Sequence, residues 1–415
     1  MTTPQLIFYV IVAILLIDYL VEQYLEYLNA RYRSASLPEE LKGIYPEDEY
    51  KRSQQYRSDN RKLSFISSTF NLLLILGFLS VDGFALVDGW AREFTSNPLL
   101  IPAVFFGILL FALDLINTPF TVYDTFVIEQ RYGFNKTTVK TFILDKIKGS
   151  ILTAVMGGGL LILVVWFYHL TGSDFWIYAW VLVTLFTLFL TMFYTHWIVP
   201  LFNKMEPLEA GDLKNRIVEL CQKGGFSLKD VFVMDGSKRS TKANAFFSGL
   251  GKKKRIVLFD TLIHELGLRE VLAVLAHEIG HYRKRHTLIN LLISVGHTGI
   301  ILYVLSLLVN NPVLSRALGV SEPSFHIALI AFALLYSPIS MILGIGMNAL
   351  SRKNEYQADD FAAHQNLSNA LIEALKKLSV KNLSNLTPHP AYVRVHYSHP
   401  PLLERIRNLR QQQDA

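Results

Sequence analysis

The chain has 415 residues, of which 51% are hydrophobic, 12% aromatic and only 18% charged, with a mean hydropathy of +0.30. A soluble globular protein carries about 25% charge, and here the charge is clustered between long apolar stretches, which excludes a disordered chain, a basic nucleic-acid-binding protein and an ordinary soluble enzyme. The formal net charge of +6 is no nucleic-acid signal, because the basic residues sort by membrane side, and the lone Cys221 allows no internal disulfide.

A spanning helix needs about 20 mostly apolar residues. Seven segments meet this, at about 5–27, 64–88, 98–120, 150–172, 175–200, 287–310 and 325–350. The first lacks a basic n-region and a small-residue cleavage site, and Asp18, Glu22 and Glu26 follow its apolar part, so it reads as a retained helix. The loops 28–63, 124–149 and 203–286 and the tail 351–415 hold 38 of the 40 Lys and Arg, the others being Arg92 and Arg316. Long loops count weakly in this bias, yet without the 203–286 loop the ratio is still 22 to 2. The N-terminus is therefore expected outside, and the large loop and tail in the cytoplasm.

The expected organisation is five N-terminal spans over 1–202, with a cytoplasmic loop at about 28–63. A catalytic loop domain at 203–286, two spans at 287–350 and a cytoplasmic tail at 351–415 follow. Asn71, Asp114, Asn117, His169, His196, Asn290 and His297 lie within the spans. Such groups face a bundle interior or a water-filled cavity, or hydrogen-bond between helices.

Within the large loop, Val231-Phe232-Val233-Met234, Asn244-Ala245-Phe246-Phe247 and Arg255-Ile256-Val257-Leu258-Phe259 read as strands, the last two joined through Gly249-Leu250-Gly251-Lys252. A small antiparallel unit is expected, with an edge able to take an extended peptide. The loop ends in a helical pattern from Arg269 containing His277-Glu278-Ile279-Gly280-His281, an H-E-x-x-H motif. Spacing i, i+4 puts both imidazoles on one face, where they can bind one Zn²⁺, with Glu278 beside them as general base toward a water. Two surface histidines on an amphipathic helix would give the same five letters. Downstream, Glu355 and Asp359 also share a helix face. Glu355 can complete a two-His, one-Glu metal site, and Asp359 can accept a hydrogen bond from a ligating His. No proline lies between Arg269 and Asn311, so the motif helix is expected to run straight into the sixth span.

These residues resemble the type I CAAX prenyl protease family of membrane zinc metalloproteases. The resemblance rests on Tyr123-Asp124-Thr125-Phe126-Val127-Ile128-Glu129 with Gly133-Phe134-Asn135-Lys136, Asn244-Ala245-Phe246, Asp260-Thr261-Leu262 and the H-E-x-x-H motif. Glu355-Tyr356-Gln357-Ala358-Asp359 and His396-Tyr397-Ser398-His399-Pro400-Pro401-Leu402-Leu403-Glu404-Arg405-Ile406 complete it. It implies an all-α multi-pass membrane protein, with seven transmembrane helices around a water-filled chamber and a small α+β cytoplasmic zinc-protease domain. It implies His277, His281 and Glu355 as zinc ligands and Glu278 as general base. Asn244 and His399 would hold substrate or stabilise the oxyanion, and Arg405 would orient other residues. The implied substrate is a peptide or membrane protein, with or without a prenyl group, cut near its C-terminus at the lipid bilayer.

The tail, Arg410-Gln411-Gln412-Gln413-Asp414-Ala415, lacks a basic endoplasmic-reticulum retrieval signal. A bacterial plasma membrane is favoured on that ground, with the endoplasmic reticulum as the eukaryotic alternative. A broader membrane-protein quality-control protease of the same superfamily, or a seven-span transporter or receptor, are the competing readings. The latter has no need for His277, Glu278, His281 and Glu355 together.

Overall fold

The structure is a computed structural model; it describes residues 2–32, 41–223, 225, 230–248 and 255–412. The first three crossings are α1 (Thr3–Arg31), α2 (Glu47–Ser80) and, after the short α3 (Gly83–Phe94), α4 (Leu100–Tyr123). Residues 47–63, expected as loop, are the first turns of α2. Glu47, Asp48 and Glu49 fill its first turn, where acidic groups complement the helix dipole.

The next two crossings lie in one 64-residue helical run, Val139–Phe202. It comprises α5 (Val139–Leu152), a wide π turn, α6 (Gly159–Thr171), α7 (Phe175–Phe193), another π turn and α8 (Val199–Phe202). The run reverses at Gly172, where φ is +59° and ψ −126°, a conformation open to a residue without Cβ. α6 and α7 then pack against each other as a hairpin. Six helical runs among the described residues are long and apolar enough to cross a membrane, and this hairpin makes seven crossings of them.

The chain then forms β1 (Met205–Pro207), α9 (Asp212–Lys223), β2 (Asp230–Met234), β3 (Ala245–Ser248), β4 (Arg255–Phe259), α10 (Asp260–Glu265) and α11 (Leu268–Arg283). The sheet order is β1-β2-β4-β3, with β2 and β4 parallel and the outer pairs antiparallel. The expected all-antiparallel unit is thus a mixed sheet with an extra strand, β1. β4 sits inside it, and its Ile256, Val257 and Leu258 are fully buried, the unbroken apolar run typical of a strand covered on both faces. β3 is an edge. The Gly249-Leu250-Gly251-Lys252 connection, like the last residues of the tail, lies outside the described residues.

The chain continues with α12 (His286–Leu308), α13 (Pro312–Ala317), α14 (Phe325–His364), α15 (Ser368–Lys381), α16 (Pro390–His396) and α17 (Leu402–Gln411). The motif helix does not run straight into the sixth span. α11 ends at Arg283, Lys284 caps it, and Arg285 turns left-handed at φ +58° before α12 begins. No glycine or proline marks this break, because its reason is tertiary: it returns His286 onto His281.

α14 is 40 residues long, about 60 Å at ~1.5 Å per residue, twice the ~30 Å hydrocarbon core. Its C-terminal turns therefore project beyond the apolar stretch and carry Glu355 and Asp359 with them. One buried cluster packs α11, β2, β4, α15 and α17 together with Leu41, Tyr45, Ile128, Tyr132 and Phe134. Between α1, α12 and α14 lies a cavity of about 740 Å³, lined by Asp18, Glu22, Tyr336 and Ser337.

Candidate metal centre

Small residues decide how the centre closes. Ala273, Ala276 and Gly280 lie along one face of α11, and Ala358 and Ala362 along the facing stripe of α14; the four alanines are fully buried. A Cβ on Gly280 would come within 2.9 Å of the Ala358 Cα and 3.0 Å of its carbonyl oxygen, so the two backbones touch. The N-terminus of α11 is held by Glu270, which accepts the Gly267 N–H at 2.7 Å and pairs with Lys377.

At this contact the His277 and His281 Nε2 atoms stand 3.2 Å apart. His277 Nε2 lies 3.4 Å from Glu355 Oε2, and His281 Nε2 lies 3.2 Å from Glu355 Oε1. Four ligands bound at ~2.0–2.1 Å around a tetrahedral Zn²⁺ are spaced by about 3.3 Å. The three side chains thus already have the spacing of a tetrahedral face. Glu355 is buried, and its Oε2 makes no hydrogen bond of acceptable angle, although His399 Nδ1 comes within 2.8 Å. A buried carboxylate oxygen facing two ring nitrogens is a donor set that fits a small divalent cation.

The outer nitrogens fix the ring orientations. His277 Nδ1–H donates to Asp359 Oδ1 at 2.8 Å. Arg405 grips the same carboxylate with two bonds, Nε to Oδ2 at 2.9 Å and Nη2 to Oδ1 at 2.6 Å, and its Nη1 lies 3.7 Å from Glu355 Oε2. On the other side, His281 Nδ1 donates to His286 Nδ1 at 2.9 Å, and His286 Nε2 donates to Gln357 Oε1 at 2.9 Å. Both ligand candidates thereby keep Nε2 aimed at the centre, where a bound metal would take its lone pair. Burial alone would lower the His277 pKa, but the bonds to Asp359 and Glu355 outweigh it and raise it to about 9.

The expected residues converge unequally. His277, His281, Glu355, Asp359, Arg405 and His399 meet in one cluster. Glu278, next to His277 on α11, is half-buried and has no hydrogen bond or ion pair among the described residues. Its carboxylate is therefore available to take a proton. Asn244 is exposed just before β3, its side-chain oxygen accepting the Ala245 N–H at 2.8 Å, and no hydrogen bond joins it to the cluster. His286 and Gln357 escaped the sequence reading. His286 was hidden in the basic run Arg283-Lys284-Arg285, and Gln357 carried no signal.

The Asp124–Glu129 segment is a wide π turn. It aims Glu129 at Lys242 Nζ, 2.9 Å away, and at the Tyr56 hydroxyl. This bond ties the N-terminal turns of α2 and the C-terminal end of α4 to the chain leading into Asn244.

A multi-pass membrane bundle with an H-E-x-x-H helix packed on a glutamate-bearing helix defines an integral-membrane metallopeptidase. Comparison with known proteins agrees. Residues 26–204 match the family described as CAAX prenyl protease N-terminal, five membrane helices, and residues 207–413 match peptidase family M48. The chain is 34% identical to the CAAX prenyl protease 1 homolog of Dictyostelium discoideum, over 97% of this chain and 96% of that one. It is 33% identical to CAAX prenyl protease 1 of Saccharomyces cerevisiae, over 93% and 91% of the two chains. The crystal structure of S. mikatae Ste24p superposes with a TM-score of 0.93 at 33% identity, covering 97% of this chain and 99% of that one. The chain belongs to the CAAX prenyl protease 1 family of M48 membrane metallopeptidases, and acts on CAAX-type substrates.

Proposed function

We propose that the centre holds one Zn²⁺ through His277, His281 and Glu355, and that the protein cuts peptide or membrane-protein substrates near their C-termini on the cytoplasmic side. The 3.2–3.4 Å spacing among the three side chains carries this reading. When bound, the metal supplies Lewis-acid polarisation of the scissile carbonyl and acidifies water.

The chain's own residues do the rest. Glu278, unpaired beside His277, takes the proton of the attacking water and returns it to the leaving amine. His399 has its side chain 66% exposed while its ring touches Glu355, so it faces whatever enters, in position to donate to a developing oxyanion. Asp359 and Arg405 hold the His277 ring. The free edge of β3, with Asn244 at its start, takes the substrate backbone as an added strand. The basic bias of the loops supports an N-terminus outside and a cytoplasmic catalytic face.

The test is cleavage of a CAAX peptide by purified protein, with and without a farnesyl group. The scissile bond is read by mass spectrometry and the metal by elemental analysis. One zinc per chain and a single cut near the C-terminus are expected; a metal-free active enzyme, or no cleavage of either peptide, overturns the reading. A requirement for the farnesyl group appears as turnover of the modified peptide alone.

A further inference from the structure

A half-buried guanidinium with no anion partner among the described residues lies close to this site. Arg57, on the cytoplasmic part of α2, has its Nε buried without a hydrogen bond, and its one polar contact among the described residues is a long 3.5 Å bond from Nη2 to the Leu383 carbonyl. No carboxylate lies within 4 Å of it among the described residues. The groups that face it are the tyrosines Tyr397, Tyr45, Tyr56 and Tyr392. Leaving the enclosed Nε of a cation without an acceptor is costly, so the arrangement favours a ligand that completes it.

The space exists. Arg57 and Arg61 line a cavity of about 310 Å³ with Glu26, Asn385, Tyr392 and Tyr397, within the ~300–1,000 Å³ of small-ligand pockets. Arg61 has no carboxylate partner among the described residues. Glu26, the one acid here, already accepts from the Tyr392 hydroxyl at 2.8 Å. Two cations against one anion leave an excess positive charge, so the missing ligand is an anion. A planar, bidentate carboxylate suits a guanidinium.

The cavity is bracketed by both arms of the catalytic site. Tyr397 is two residues from His399, whose ring touches Glu355. The Tyr56 hydroxyl accepts from Lys242 Nζ at 3.1 Å, two residues before Asn244. Two residues of chain span at most about 7 Å, so the cavity adjoins the place where a substrate backbone would lie. A CAAX-type substrate ends in a free carboxylate a few residues past the bond that is cut, and three extended residues reach about 10 Å.

We propose that this cavity is the subsite for the substrate's C-terminal carboxylate, with Arg57 as its charge partner. This rests on the protease reading, which supplies the substrate class, and it adds how the enzyme recognises a chain terminus rather than an internal segment. An internal loop has no carboxylate to offer, so the enclosed Arg57 Nε stays unpaired and binding is weak.

The experiment compares a farnesylated CAAX peptide bearing a free carboxylate with the same peptide as its C-terminal amide. Binding is measured on full-length Glu278→Gln protein by fluorescence anisotropy, and cleavage on the unsubstituted enzyme. The acid is expected to bind about 10–100-fold more tightly than the amide, the range for a hydrogen bond to a charged group. The preference should appear in KM with little change in kcat, vanish in Arg57→Gln and survive in part in Arg57→Lys. Equal binding of acid and amide overturns the subsite even if every Arg57 variant fails to fold, since that comparison leaves Arg57 intact. A preference kept in Arg57→Gln overturns it too. Cleavage of both peptides without preference leaves the protease reading standing and the subsite refuted. An Arg57-dependent preference without cleavage does the reverse.

Discussion

Gly280 and Ala358 touch backbone to backbone: a Cβ added to the glycine would lie 2.9 Å from the alanine Cα. Gly280→Ala therefore forces α11 off α14 and spreads His277 and His281 from Glu355. Overpacking of this kind costs about 1–3 kcal/mol. Purified variant should melt lower and lose metal to a chelator that wild type resists. Unchanged melting with full metal retention would show that the close contact does not hold the centre together.

Replacing Glu278 by Gln keeps the size of the side chain and removes its basicity. General acid–base catalysis contributes about 10²–10⁴-fold, so peptide turnover should fall by that factor while metal content and melting temperature stay at wild-type values. An active Glu278→Gln enzyme would refute the assignment of the base.

His286 touches His281 and not the metal position, so its effect is on orientation. Loss of such a partner costs about 10–100-fold in metal affinity. His286→Ala should show that loss in chelator competition, whereas His286→Gln, which can still accept from His281 Nδ1, should recover part of it. Equal affinity in wild type and both variants would remove His286 from the centre.

Metal uptake should depend on pH through His277. In the metal-free protein its pKa is raised from 6.5 to about 9 by Asp359 and Glu355 acting against burial. Below about 9 the ring carries a proton that a metal must displace, so affinity should climb about tenfold per pH unit toward 9 and flatten above it. Affinity independent of pH between 6.5 and 9 would contradict the raised pKa.

Cys221 is buried in α9, which pushes its thiol up to about 12. The folded protein should be silent to a water-soluble thiol reagent, so single cysteines placed elsewhere report alone. Asn117 and His297, which bond Asn71 and Tyr336 at 3.0 and 2.5 Å, are both partly accessible. Cysteine at either position should react from the chamber. Complete protection of both would mean that the helices are packed solid there.

Local periodicity made much of this protein legible from its residues. Apolar stretches of about 20 mark the crossings because a bilayer has a fixed thickness. His277 with His281, and Glu355 with Asp359, announce shared faces because i and i+4 are neighbours on any helix. What only the tertiary structure decided involves residues far apart in the chain, or backbone turned for a distant partner. The left-handed Arg285 that returns His286 to His281 has no local signature, since an arginine there is tolerated only because the contacts on both sides repay it. The parallel pairing of β2 with β4 depends on which strand is covered on both faces. Arg405 clamps Asp359 across 46 residues. Arg57 meets Tyr392 and Tyr397 from the other end of the chain. Pairings of this kind are set by packing and charge compensation in the folded molecule, and helix or strand periodicity carries no record of them.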